Sequence, residues 1–157
     1  MPNTARYDPT ENRFFSEDSL RATLRALRLR VTLAQLNAGF TLLPAVAGFI
    51  YALCDCKLIA IGGAATTGTS VNVIGTRAAA PVQLFVAAVA GLTQSTVLRA
   101  GSPFATAGTA SIVCLADGAS FAPLDVNTGV TVITVGSAMT VMTNLDVVLD
   151  YTLVQAP

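Results

Sequence analysis

Ionised side chains become scarce in this chain after residue 30. Ten of the eighteen charged residues lie in residues 1–30, and the other eight are spread over residues 31–157. Eight charges in 127 residues is about 6%, whereas soluble domains carry roughly 25%. A protein surface with so little charge is poorly soluble on its own. The sequence therefore predicts that the chain either enters a membrane or hides much of its surface against copies of itself and partners.

Composition narrows the possible functions further. The 157 residues are enough for one domain with a substantial core. The formal net charge is +0, so the chain has no overall field to attract nucleic acid or anionic lipid. Histidine is absent, which removes the commonest general base and the commonest metal ligand. We therefore expect neither an enzyme nor a nucleic-acid-binding protein.

Membrane insertion is the less favoured of the two solutions. The segments Val31–Cys54 and Ala78–Leu98 are uncharged and exceed the ~20 residues of a spanning helix. Both contain proline, glycine and amide side chains, and the chain has no tryptophan for an interfacial belt. Residues 1–15 contain no apolar run, so a signal peptide is not expected. The sequence thus favours burial between subunits over burial in lipid.

Short apolar segments separated by turn residues follow one another along the chain. Many are rich in β-branched residues, and Asp117-Gly118 is the strongest hairpin signal. This pattern predicts an all-β fold, an antiparallel β-sandwich of jelly-roll-like character formed by residues 20–157. A helical turn is expected at Val86–Leu92. The predicted strands are Leu27–Ala34, Phe40–Leu43, Phe49–Ile61, Ser70–Ile74, Pro81–Phe85, Ser95–Arg99, Ala110–Leu115, Thr131–Val135 and Leu145–Val154.

Residues 1–19 are predicted to form an extended N-terminal arm. Pro2 and Pro9 prevent a continuous helix, and three aromatic residues lie among the first fifteen. Termini are ordered only when contacts tie them down, so these aromatic residues either pack on the chain's own core or dock on a neighbour. At the end of the arm, Ser16 is expected to cap a short helical turn.

Charged residues share a strand face at two places. Arg28 and Arg30 alternate with apolar residues, and their face is either solvated or in contact with an acidic partner surface. Asp146 and Asp150 lie about 13 Å apart along the last strand at ~3.3 Å per residue, which is too far to share one small ion. We expect these two carboxylates to pair with Arg77 or Arg99, the isolated cations of the later chain.

No residue pattern indicates a catalytic centre, a cofactor or a metal. Cys54 and Cys56 are expected to share one strand face and, with Cys114, to be reduced and buried, since three cysteines without histidine make a poor zinc site. The glycine-rich segment Ile61–Ser70 lacks the lysine of a phosphate loop and the GxGxxG spacing of a dinucleotide site. No serine has a histidine or a Ser-x-x-Lys partner. We therefore predict no catalytic, cofactor-binding or metal-binding residue.

Five segments resemble small structural proteins of tailed bacteriophages. TLAQLNAGFTLLPAVAGFIYAL at Thr32–Leu53 resembles the "AQ…TLVPAPGAG" stretch of that group, although Phe49 stands where the group usually has a basic residue. Together the segments span residues 30–155 and resemble the head decoration, or cement, family. The other four are LIAIGG at Leu58–Gly63, TSVNVIGT at Thr69–Thr76, VCLADGASF at Val113–Phe121 and LDVVLDYTLV at Leu145–Val154.

This resemblance implies a β-sandwich protein of the virion, made in the bacterial cytoplasm and bound to the outer surface of the phage head. It implies a homo-oligomer, expected to be a trimer, on the major capsid protein, without nucleic acid, membrane or cofactor. The alternatives are another virion component, such as a head-fibre base or a tail protein, and a small β-barrel that binds an apolar ligand. Capsid contact is expected through the arm residues Arg6, Tyr7, Arg13, Phe14 and Phe15.

Overall fold

The computed structural model describes residues 24–99 and 123–156 in full, and the backbone of residues 6–8, 13–15 and 112–113. The helical turn predicted at Ser16 and the hairpin predicted at Asp117-Gly118 lie outside these residues. The strands are β1 (Arg6–Asp8), β2 (Arg13–Phe15), β3 (Arg25–Thr32), β4 (Phe40–Leu43), β5 (Phe49–Ile61), β6 (Ala65–Thr66), β7 (Ser70–Arg77), β8 (Ala80–Ala88), β9 (Val97–Arg99), β10 (Ile112–Val113), β11 (Val130–Val135), β12 (Thr140–Val141) and β13 (Asn144–Gln155).

The prediction of an all-β, antiparallel fold is confirmed. Four strands form one sheet in the order β3-β13-β5-β9, and five form a second sheet in the order β10-β8-β7-β11-β4. Every ladder between the named strands is antiparallel. Fully buried side chains from both sheets, such as Leu58 and Leu149 from the first and Val73 and Val132 from the second, belong to one core cluster. The two sheets therefore form a sandwich, and its jelly-roll-like character stays a prediction.

Strands β5 and β13 form the long central pair of the four-stranded sheet. Their ladder runs from Asn144 opposite Ile61 to Gln155 opposite Phe49, with a register shift between Asp150 and Tyr151. Cys54 is the extra residue at this bulge, and a bulge reverses the alternation of side chains along its strand. The predictions that Cys54 and Cys56 share a face and that Cys54 is buried are therefore wrong, since Cys54 is exposed; Cys56 is buried as predicted, and Cys114 lies outside the described residues.

A short helix, α1 (Leu33–Ala38), follows β3 and replaces the last two residues of the strand predicted there. Thr32 caps it, because the Gln35 backbone N–H donates to the Thr32 hydroxyl while the Thr32 N–H donates to Gln35 Oε1. Gly39, with φ of +85°, ends the helix and starts the turn into β4. These local hydrogen bonds stabilise a helix at Leu33 and Ala34, where the alternating sequence pattern predicted a strand.

Strand β7 continues through Gly75, where the sequence predicted its end. A Cβ at Gly75 would lie 2.9 Å from both methyl groups of Leu124, so this glycine makes room for a core side chain. Strand β8 likewise continues to Ala88, and only Val89–Gly91 forms a single 3₁₀ turn, so the helical turn predicted at Val86–Leu92 is largely strand. In both cases tertiary packing and sheet pairing override the local residue signal.

The turn between β7 and β8 is built from alanines rather than glycines. Ala78 and Ala79 have φ of +51° and +58°, in the left-handed region that L-residues other than glycine rarely adopt. The Asp125 carboxylate accepts a hydrogen bond from each of their N–H groups, at 2.9 and 2.8 Å. This clamp across the sandwich end holds a turn whose own residues disfavour it.

Candidate functional site

The outer face of the four-stranded sheet holds most of the charge in the part of the chain whose side chains the structure describes. That part contains ten ionisable acidic and basic side chains, and seven of them lie on this face. Strand alternation places them there, because each occupies a position opposite to the core-facing residues of its strand. We call this surface the charged face; its residues are Arg28, Arg30, Asp55, Lys57, Arg99, Asp146 and Asp150.

One ion-pair group joins the neighbouring strands β3 and β13. Asp146 lies directly opposite Arg30, which donates from Nε to Oδ1 at 2.6 Å and from Nη2 to Oδ2 at 2.9 Å. Arg28 adds a longer contact of 3.4 Å to Oδ2. The hydrogen bonds from Arg30 are the main reason that the pKa of Asp146 lies below its ordinary value. Asp146 is thus an ionised carboxylate held under two guanidinium groups.

A second ion-pair group joins β13, β5 and β9. Asp55 and Asp150 lie opposite each other across the ladder, an arrangement that is unfavourable for like charges. Lys57 Nζ lies between them, 3.2 Å from Asp55 Oδ2 and 3.4 Å from Asp150 Oδ2. Arg99 donates from Nε to Asp55 Oδ2 at 2.9 Å. The hydrogen bond to Asp55 is the main cause of a raised pKa of Lys57, which therefore stays protonated.

The cations and carboxylates of the charged face differ in exposure. The side chain of Asp146 is 4% exposed and that of Asp55 is 13% exposed. By contrast, the side chains of Arg28, Arg30 and Arg99 are 71%, 57% and 62% exposed. The face therefore presents guanidinium groups to its surroundings and keeps its carboxylates beneath them.

The outer face of the five-stranded sheet has a different character. Its ladder rows place Thr131, Ile133 and Val135 of β11 beside Ile74, Asn72 and Ser70 of β7, and these rows contain no ionised side chain among the residues described. Ser70 and Asn72 are buried there, joined by a hydrogen bond of 2.7 Å between Ser70 Oγ and Asn72 Oδ1. Among the described residues, charge is thus concentrated on the four-stranded sheet, and Arg77 at the end of β7 is the one charged residue in the strands of the five-stranded sheet.

The five residues predicted to contact a capsid lie in the N-terminal hairpin. Strands β1 and β2 pair antiparallel, with Arg6 opposite Phe15, Tyr7 opposite Phe14 and Asp8 opposite Arg13. These strands form a two-stranded sheet of their own. The pairing brings all five predicted residues together in one short ladder, and their contact with a capsid stays a prediction.

The predicted partners of the last-strand carboxylates are wrong. Asp146 pairs with Arg30 and Asp150 with Lys57, because β3 and β5 flank β13 and fix which cations lie opposite. The sequence did place Arg28 and Arg30 on one face, but the acidic group that they contact belongs to their own chain. The repeated spacing of two between charges, at 28 and 30 and at 55 and 57, was the available signal for a charged sheet face.

Within residues 24–99 and 123–156, no three cysteine or acidic side chains are grouped so that they could hold a metal ion. No helix among the described residues is long and apolar enough to cross a bilayer. A scan against protein-family models gives no match, and searches among curated proteins and among solved structures give no significant match.

Proposed function

We propose that this chain is a structural protein of a phage virion, which decorates and stabilises the outer surface of the capsid. In this proposal it is a homo-oligomer, with a trimer as the expected form, and it binds the major capsid protein. The observation that most supports the proposal is the segregation of charge on the sandwich. A protein that binds both sister copies and a protein lattice needs surfaces of different character, and the charged face of the four-stranded sheet supplies one of them.

The scaffold suits a function that depends on rigidity rather than on chemistry. Strands β5 and β13 pair over twelve residue positions, and their inward side chains, among them Cys56, Leu58 and Leu149, are fully buried. Within the described residues, every buried side-chain nitrogen or oxygen has a hydrogen-bond partner. Such a domain transmits load between attachment points without rearranging.

The mechanism of stabilisation would be mass action. A protein that binds the expanded capsid lattice but not its precursor favours the expanded state by its binding free energy. Attachment through several copies of one arm would turn weak individual contacts into strong overall binding. The N-terminal hairpin, with Arg6, Tyr7, Arg13, Phe14 and Phe15 in one ladder, is the element that we assign to this attachment.

The test begins with the mass of the purified chain in detergent-free buffer, measured by light scattering. The chain is then added to expanded heads of its source phage that lack it, and the heads are sedimented and imaged by electron microscopy. We expect a trimer and regular density on the head surface. A monomer that binds no particle would refute the proposal.

Variants of the arm test the attachment. Deleting residues 1–15 should leave the oligomer intact and abolish binding to heads, whereas Arg77→Gln, which removes one exposed charge from the sandwich, should change neither. Full decoration by the truncated chain would refute the role of the arm. Density at a fibre or on the tail would instead support the alternative virion component, and a monomer that binds an apolar probe would support the ligand-binding barrel.

A further inference from the structure

The charged face carries exposed guanidinium groups that attachment through the N-terminal hairpin does not use. We propose that it docks a protein surface that carries clustered carboxylates, and, resting on the proposed function, that this acidic surface belongs to the capsid. The proposal adds to the N-terminal hairpin a second contact, made by the folded sandwich itself.

The first argument is which charges reach the partner. The three carboxylates lie low on the sheet: the side chains of Asp146, Asp55 and Asp150 are 4%, 13% and 24% exposed. The guanidinium groups stand above them and keep more than half of their surface in contact with solvent. An approaching surface therefore meets cations first, so charge complementarity favours an acidic partner.

The second argument is that the cations are held in place before binding. Arg30 occupies both oxygens of Asp146, at 2.6 and 2.9 Å, while the contact of Arg28 with the same carboxylate is long, at 3.4 Å. Arg28 therefore keeps most of its donors free for an incoming carboxylate. Arg30 and Arg99 are already held by short contacts with Asp146 and Asp55, so they lose little conformational freedom when a further carboxylate binds.

The third argument separates an acidic protein from the other possible occupants. Four cations and three carboxylates give this face a net charge of only +1, and tight binding of nucleic acid depends on neutralising many phosphates at once. A second copy docking face to face would bring exposed arginines against exposed arginines, which is repulsive. A protein surface with a few grouped carboxylates can instead pair those carboxylates with the exposed arginines of this face.

The experiment uses poly-L-glutamate as the acidic probe, with binding measured by interferometry at low ionic strength, where exposed charges are least screened. Arg28→Gln and Arg99→Gln should each weaken binding by about two- to fivefold, because each removes one exposed cation of the face. Arg77→Gln is the matched control, since it removes the same charge from an exposed site on the other sheet. Equal losses for all three variants would overturn the proposal, because net charge alone would then explain them.

Two further variants test the sign of the effect and the role of the guanidinium. Asp150→Asn removes a carboxylate from the face and should strengthen binding by about twofold. Arg28→Lys keeps the charge but not the planar fork, so it should recover only part of the affinity that Arg28→Gln loses. Thermal melting of each variant shows whether the fold is intact. An unchanged affinity for Asp150→Asn, or stronger retention of duplex DNA than of poly-L-glutamate by the same residues, would overturn the assignment to an acidic protein.

The result of this binding series can be distinguished from the result of the test of the proposed function. If the full chain does not bind phage heads at all, the virion assignment fails, but the poly-L-glutamate series still reports on the charged face. If the chain binds heads and Arg28→Gln and Arg99→Gln bind them as well as the parent does, the docking proposal fails while the virion assignment stands.

Discussion

Replacing Asn37 with alanine should destabilise the fold more than its place on a six-residue helix suggests. Its amide connects α1 to two other segments of the chain. Asn37 Nδ2 donates to the Met139 carbonyl at 3.1 Å, and Oδ1 accepts from the Met139 N–H at 2.9 Å and from the Thr134 hydroxyl at 3.0 Å. Met139 itself is 1% exposed, so its backbone groups have poor access to water once the amide is gone.

The expected loss follows from these three hydrogen bonds. At about 1 kcal/mol for each bond, with an additional cost for the buried N–H and carbonyl of Met139, Asn37→Ala removes roughly 3–4 kcal/mol. Alanine's better helix propensity returns about 0.6 kcal/mol. The net loss in the free energy of unfolding should therefore be about 2.5–3.5 kcal/mol. In a chain of this size that corresponds to a fall in Tm of about 5–14 °C.

Urea unfolding followed by far-UV circular dichroism measures the loss in the free energy of unfolding. The protein concentration is kept fixed, because association would shift the apparent stability. Thr134→Val is the matched control, since it deletes a single bond of the same group and should cost about 1 kcal/mol. The slope of free energy against urea should not change. A loss below 1 kcal/mol for Asn37→Ala, or one equal to that of Thr134→Val, would refute the reasoning.

Three other perturbations have defined outcomes. The folded-state pKa of Asp146 lies below its ordinary value of 3.8. The ionised carboxylate therefore stabilises the fold above that pH, and this stabilisation is lost as the pH falls through the folded-state pKa. In urea titrations, the difference in the free energy of unfolding between the parent and Asp146→Asn should thus narrow below about pH 4. Iodoacetamide at neutral pH should label Cys54 but spare Cys56, because burial raises the pKa of the Cys56 thiol to about 12. Peptide mass mapping checks this, and equal labelling of the two cysteines would contradict the bulge. Ala79→Gly, at a φ of +58°, should raise the stability by about 0.5–1 kcal/mol in thermal melts, and a loss would contradict the strained turn.

The sheet content of this chain could be predicted because its strands carry strong local signals. The segment Phe49–Ile61 is rich in β-forming residues and, apart from Asp55 and Lys57, apolar, and the structure has one strand with those bounds. Alternation of Leu27, Leu29 and Val31 with arginines likewise predicted which side of β3 faces the core. Both signals depend only on neighbouring residues, so one sequence is enough to detect them.

The features that a single sequence did not reveal depend on distant parts of the chain. The bulge at Cys54 is defined by the register of β5 against β13, which lies about a hundred residues further on. The room for Leu124 at Gly75 and the clamp of Asp125 on Ala78 are also contacts between distant segments. In each case the local residues permit more than one conformation, and the tertiary partner selects among them.

The charged face combines both kinds of information. Alternation alone placed Arg28 and Arg30 together, but the partner of Arg30 is 116 positions away, and only the strand order β3-β13-β5 selects Asp146. The same order sets Asp55 against Asp150, which makes Lys57 necessary between them. The described part of the chain therefore has seven of its ten charges on one sheet face, with the carboxylates beneath the cations, and this concentration is the physical basis for proposing that face as an attachment surface.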